Sequence, residues 1–113
     1  MIKEILSAAG IPHEQGVFPE MPDGTCAVYF DHVTLDGADP VESIPLSGLP
    51  RIEQHDAEIE LYETLPDPEK EAALEAELTG RGLLYDKQDR YWLANAQRFQ
   101  VLYGFSFTVK KGG

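Results

Sequence analysis

Phe99-Gln100-Val101-Leu102-Tyr103-Gly104-Phe105-Ser106-Phe107-Thr108-Val109 decides the fold. Its odd-numbered residues are all apolar or aromatic, and they alternate with Gln100, Leu102, Gly104, Ser106 and Thr108. Period two puts the two sets on opposite faces of a β-strand, and aromatic and β-branched side chains suit a pleated, half-buried surface. The run predicts a strand of roughly 40 Å, about twice the usual length. A small domain cannot cover such a strand fully from its own chain.

Working back from it, Leu83-Leu84-Tyr85 is a short strand candidate. Residues 86–97 form a loop or strand continuation that holds Tyr91, Trp92 and Leu93. Pro66-Asp67-Pro68-Glu69 announces a helix, with Asp67 as N-cap and Pro68 at the first helical position. Glu69 and Glu71 lie near the positive end of its dipole, and Lys70 stands where a capping box would need Glu or Gln. Ala73, Leu74, Ala76 and Leu78 are its expected buried side, and Gly80 or Gly82 its end. In Arg51 to Glu63, Ala57, Ile59 and Leu61 face one way, and Asp56, Glu58, Glu60 and Tyr62 the other. That is a strand with one wet, acidic side.

Thr25 to Leu35 is dense in β-branched and aromatic residues and reads as a strand. Asp36-Gly37-Ala38-Asp39-Pro40 breaks it and opens a loop to about Pro50, with Ser43 to Leu49 a further short strand candidate. Before it, 13–24 is a connector rich in turn residues. Ile2, Ile5, Leu6 and Ala9 share one helix face, closed by Gly10 and Pro12. The order predicts a single α+β domain over 1–113. Its antiparallel or mixed sheet carries two helices on one face and ends in one over-long C-terminal strand.

Composition narrows the function classes. The 113 residues hold 9 Lys and Arg against 20 Asp and Glu, a net charge of -11. Such a charge repels phosphate backbones and anionic membrane surfaces. Cys26 is the one cysteine and forms no internal disulfide; at the start of an apolar strand it reads as a small buried hydrophobe. Met1 to Leu6 mixes charge into apolar positions, and no run reaches the length of a membrane span, so the expected site of synthesis is the cytosol.

No catalytic pattern stands out, and no cofactor or metal is expected. His13, His32 and His55 match no zinc spacing. Gly80-Arg81-Gly82 follows a helix instead of opening one, the wrong side for phosphate. Ten carboxylates stand between Glu53 and Glu77 with Lys70 as the single base. The periodicity assigns them to solvated faces, so they do not read as an acid–base pair with opposed pKa values. Tyr91, Trp92 and Leu93 are candidate interface anchors, with Asp36 and Asp39 in the long loop. Asp56, Glu58, Glu60, Glu71 and Glu75 are the candidate acidic surface, facing a lumen or a partner.

In order along nearly the whole chain, five segments carry a resemblance. They are Ala9-Gly10-Ile11-Pro12 after the first helix, Ala27-Val28-Tyr29-Phe30, Ala57 to Tyr62, Pro66-Asp67-Pro68-Glu69, and Phe99 to Phe105. Together they resemble the tail terminator or head–tail joining (tail completion) proteins of tailed phages. The resemblance implies a structural protein without enzymatic activity or cofactor. It would form a homo-oligomeric ring, commonly a hexamer, on the tail tube, stop tube growth and present a face to the head connector. Strands would contribute to the inner ring wall and loops to subunit contacts. The partners are then the tail tube protein and the head-completion protein, and the location is the virion, with host cytoplasm during assembly. DNA passes such a lumen without being held, which a negative wall favours.

Two other readings stand beside it. The Glu53 to Glu77 cluster also suits a small acidic inhibitor or DNA mimic bound to a basic partner. His32 and His55 with nearby carboxylates would suit a metal-dependent hydrolase.

Overall fold

The computed structural model describes residues 1–35 and 51–111. Helix α1 (Ile2–Ala8) is followed by strands β1 (His13–Gln15), β2 (Cys26–Leu35) and β3 (Arg51–Glu63). Helix α2 (Pro68–Gly80) leads to β4 (Tyr85–Lys87), β5 (Tyr91–Leu93) and β6 (Arg98–Lys111). The strands form one mixed sheet in the order β1-β2-β3-β6-β4, with β5 also on β6. Only β1 runs parallel to its neighbour. The expected α+β architecture with a long last strand is present.

Two long ladders dominate. Strand β3 pairs antiparallel with β2 from Cys26↔Tyr62 to Leu35↔Glu53, and with β6 from Glu63↔Phe99 to Arg51↔Lys111. Strict alternation then fixes both faces of the sheet. Ala27 and Tyr29 of β2, Ala57, Ile59 and Leu61 of β3, and Val101, Tyr103 and Phe105 of β6 point to one side. There they form a single core with Ile2, Ile5, Leu6, Ala9, Leu74 and Leu78 of the helical layer. Both helices thus cover the same face. No described helix is long and apolar enough to cross a membrane.

Both helices close with the same hydrogen-bond pattern. Gly10 adopts φ 72° and donates to Ser7, while Ile11 donates to Leu6; Gly82 adopts φ 74° and donates to Thr79, while Leu83 donates to Leu78. This six-to-one closure needs a left-handed residue, which glycine supplies without a Cβ penalty. At Gly10 a side chain would also press on the Lys70 ammonium that binds the Gly10 carbonyl. Asp67 caps α2 by accepting from the Lys70 amide.

Three expectations shift. Strand β1 falls inside the segment read as connector; its His-Glu-Gln sequence has no apolar alternation, and the backbone edge of β2 recruits it. The strand expected at 83–85 lies at Tyr85–Lys87, because Leu83 is spent on the helix cap. Ala76 is exposed, and the buried stripe of α2 runs Glu71, Leu74, Leu78. The strand candidate at 43–49 lies outside the described residues.

The core shared by helices and sheet ends at Ala57 and Phe105, with Phe107 packed against its edge. Beyond it β2, β3 and β6 continue as a three-stranded ribbon, and the molecule measures 52 × 29 × 22 Å. On the ribbon, His55 stacks on Phe107 at 4.6 Å between ring centres. Its Nδ1 meets Asp31 at 2.9 Å and its Nε2 meets Glu53 at 3.2 Å.

Candidate functional site

The face opposite the helices carries Cys26, Val28, Phe30, His32 and Thr34 of β2, with the even-numbered residues of β3 and β6. Among the described residues no helix packs on it. Asp56, Glu58 and Glu60 stand along its central strand at every second residue, roughly 7 Å apart. Asp56 accepts from Ser106 Oγ at 2.6 Å, and Glu60 accepts from Tyr62 at 2.8 Å. Glu58 and the neighbouring Phe30 and His32 are exposed, Phe30 at 42%. The expectation that Asp56, Glu58 and Glu60 share one wet, acidic side of the strand matches this face.

One end of the face is closed by polar cross-links. Arg98 reaches the carbonyls of Gly24 and Pro22 at 3.1 and 2.8 Å and the Cys26 sulfur at 3.8 Å. Burial pushes the Cys26 thiol up despite Arg98, so it stays a protonated, inert thiol. Tyr91 donates to Gln100, and Gln100 donates to Tyr62 at 3.0 Å. Burial, followed by the hydrogen bond to Glu60 and its charge, pushes Tyr62 up to about 12.

Glu71 and Glu75 do not belong to this surface. They project from α2 on the other side of the sheet, where Glu71 is only 5% exposed and Glu75 half-buried. Glu71 lies one turn before Leu74 on the packed stripe, which carries it inward with the leucines. Glu63 shares this interior: it follows Ala57, Ile59 and Leu61 in the period-two series and is 0% exposed.

Cations from the β4–β5 segment meet these acids. Arg90 Nε donates to Glu63 at 2.8 Å, and Arg90 Nη2 also donates to Glu71. Lys87 lies 3.0 Å from Glu71 and 2.8 Å from Glu75. Tyr103 and Tyr85 donate to Glu75 at 2.8 and 3.3 Å, and Glu63 accepts the Asp67 amide at 3.2 Å. Burial and the hydrogen bond that protonated Glu63 donates to Glu71 push Glu63 up to about 7 against the pull of Arg90. For Glu71 burial acts upward too, but the bonds to Glu63, Arg90 and Lys87 outweigh it and hold the carboxyl well below its ordinary range. A pocket of about 300 Å³ adjoins the cluster, lined by Glu71, Lys87, Gln88, Asp89, Arg90 and Val101. Lys87 and Arg90 are already partnered by Glu63, Glu71 and Glu75, so the cluster clamps the β4–β5 segment to α2.

Tyr91, Trp92 and Leu93 form β5 at the flank of β6. Tyr91 and Trp92 are each 46% exposed, and Leu93 is half-buried. Trp92 meets Phe99 edge-on at 4.9 Å, so one part of the ring packs and the rest faces solvent. Asp36 and Asp39 lie outside the described residues. His32 and His55 do not meet. One is even and one odd in the ladder that pairs Val33 with His55, so they lie on opposite faces, and the shared hydrolase site is not formed. Among the described residues no group of three or more His, Cys, Asp or Glu is arranged to hold a metal ion. The clusters around Glu63 and His55 went unrecognised in the sequence, although simple parity places Glu63, Glu53, His55 and Asp31 on the helix side.

No protein-family model matches the chain, and no curated protein matches it.

Proposed function

We propose that this chain is a ring-forming structural protein of the tail terminator or head–tail joining kind. It caps a tail tube and joins it to the head connector, with DNA passing through the ring. One observation carries the reading: among the described residues both helices cover one side of the sheet, and the other side carries Asp56, Glu58 and Glu60 in a row. A wall built this way turns its packed layer outward and its carboxylates toward the lumen. Phosphates approaching within about 8 Å at physiological salt then feel repulsion instead of adhesion. Tyr91 and Trp92 offer amphipathic rings for contact with a neighbouring subunit or the tube. Location in the virion, and in host cytoplasm during assembly, follows from the same reading.

Native mass measurement of the full chain, alone and mixed with tail tubes, tests it. The expected result is a closed oligomer, six subunits by the resemblance, that binds tube ends and halts their growth. A protein that stays monomeric under both conditions overturns the reading. If that monomer binds a basic DNA-binding protein and loses it on adding salt, the acidic-mimic reading replaces it.

A further inference from the structure

Several strand edges of the sheet lack a partner strand among the described residues, and two of them complement one another. Strands β4 and β5 pair with β6 no further than Phe105, which leaves the outer edge of residues 106–111 open. At the far side, β1 is bonded to β2 on one edge only. Unpaired N–H and C=O rows of this kind are templates for another strand, and folds usually blunt them with Pro, bulges or charge. Residues 106–109, Ser-Phe-Thr-Val, contain none of these devices.

The two edges also differ in charge. Residues 5–50 contain no Lys or Arg, and residues 90–113 contain no Asp or Glu. Strands β1 and β2 themselves therefore carry acids and no Lys or Arg, Glu14 and Asp31 among them, with Lys3 and the N-terminal ammonium beside Gln15 and Asp31. Strand β6 carries Arg98, Lys110 and Lys111. Like edges repel and unlike edges attract, which favours a head-to-tail contact over a two-fold one.

We propose that the outer edge of residues 106–111 in one copy pairs in parallel with β1, His13–Gln15, of the next copy. This deepens the ring reading and rests on it. Strands β1 and β2 run the same way as β6, because β2 and β6 are both antiparallel to β3. Rotation about an axis close to the strands therefore brings the two edges together without reversing either. Strand β4 already occupies β6 up to Phe105, so the neighbour's β1 must sit beyond it.

Within one copy, β1 lies level with residues 101–103 of β6, through Ala27↔Leu61↔Val101 and Tyr29↔Ile59↔Tyr103. Clearing β4 thus offsets successive copies by about five residues, roughly 16 Å, over a repeat of four strands, roughly 19 Å wide. The resulting slant is about 40°, within the strand tilt at which sheets close on themselves. Glu14 then shares the bare sheet face with Ser106, Thr108 and Lys110 across the junction.

Cysteine cross-linking of the full chain tests the junction, with Cys26 kept because it is buried. The double variants are Glu14→Cys with Ser106→Cys, with Thr108→Cys, or with Lys110→Cys. Disulfide geometry is narrow, so one pair is expected to give a ladder of multimers up to ring size, at about tenfold the yield of either single variant. Rings by native mass with no ladder from any pair overturn the junction and leave the ring reading standing. A monomeric protein, alone and with tubes, overturns both. Efficient linking by Thr108→Cys alone shows a two-fold β6 contact and overturns the head-to-tail pairing. A charge exchange supplies a second readout: Glu14→Lys and Lys110→Glu should each weaken assembly several-fold, and the pair together should restore it. Equal assembly by all three variants and the parent overturns the pairing of these edges.

Discussion

Two sets of carboxylates lie within one short stretch of sequence and meet opposite fates. Asp56, Glu58 and Glu60 stand on the bare side of β3, while Glu63, three residues further, is fully enclosed on the other side with Glu71 and Glu75 close by. Residue type does not separate them; position in the alternation does. On the bare side water screens each charge, and repulsion within the row costs little. On the helix side burial makes each charge expensive unless a cation meets it, and Arg90 and Lys87 do so. The acids behind the sheet therefore serve the fold, and those in front remain available for contact.

The largest expected effect comes from removing the clamp. Arg90→Met leaves Glu63 and Glu71 enclosed without their shared cation, and breaking such a pair costs about 3 kcal/mol. Denaturant unfolding measures it. In the double variant with Glu63→Gln the extra loss should shrink, because one of the two enclosed carboxyls can no longer ionise. A loss for Arg90→Met near zero would show that water reaches these acids, and the contrast between the two sides would collapse.

The next effect lies in pH. The Glu63 pKa, pushed up to about 7, stands above its value in the unfolded chain. Its contribution to stability is full below about 4.5 and is lost as pH rises through 7. Glu71 is shifted the opposite way, so its contribution is present above the unfolded value and is lost only under strong acid. Between pH 5 and 8 the parent should weaken as pH rises, and Glu63→Gln should flatten that decline. A profile unchanged by Glu63→Gln would mean Glu63 titrates normally.

A smaller effect belongs to the ribbon. Burial disfavours a charged His55, but hydrogen bonds to Asp31 and Glu53, with their charges, outweigh it and raise the pKa. The stabilisation is therefore present at low pH and is lost as pH climbs past the raised value. His55→Gln should cost about 1 kcal/mol at pH 6 and less at pH 8.5, read by urea midpoints. An equal cost at both values would assign the effect to the stacking on Phe107 instead of to charge.

Much of this arrangement was legible in the sequence. The alternation in β6 and β3, the apolar face of α1, the Asp67 cap and the left-handed glycines follow from local rules, and local rules decide those positions. The inward carboxylates were obscured by abundance: ten acids in one stretch read as a solvated face, although parity singles out Glu63. Arg90 carried no local signal, because its partners lie 19 and 27 positions away. Strand β1 was invisible for a related reason, since its pairing runs through the backbone and its His13 ring meets Tyr29, 16 positions away.

The smallest effect on stability is expected where the proposed function predicts the largest effect on behaviour. Glu58→Lys and Glu60→Lys lie on the bare face, where substitutions away from packed features cost within about 0.5 kcal/mol. Glu60 also holds the Tyr62 hydroxyl, so its share should be the greater of the two. Unfolding midpoints close to the parent would keep the front of the sheet distinct from the back. The two substitutions combined in one chain and assembled into rings exchange two of the three repelling charges for attracting ones. DNA should then be retained on the ring at low salt and released as salt rises, in line with counterion release. Rings that hold no more DNA than the parent would place this face away from the lumen, and a loss of several kcal/mol would mean that the face is covered.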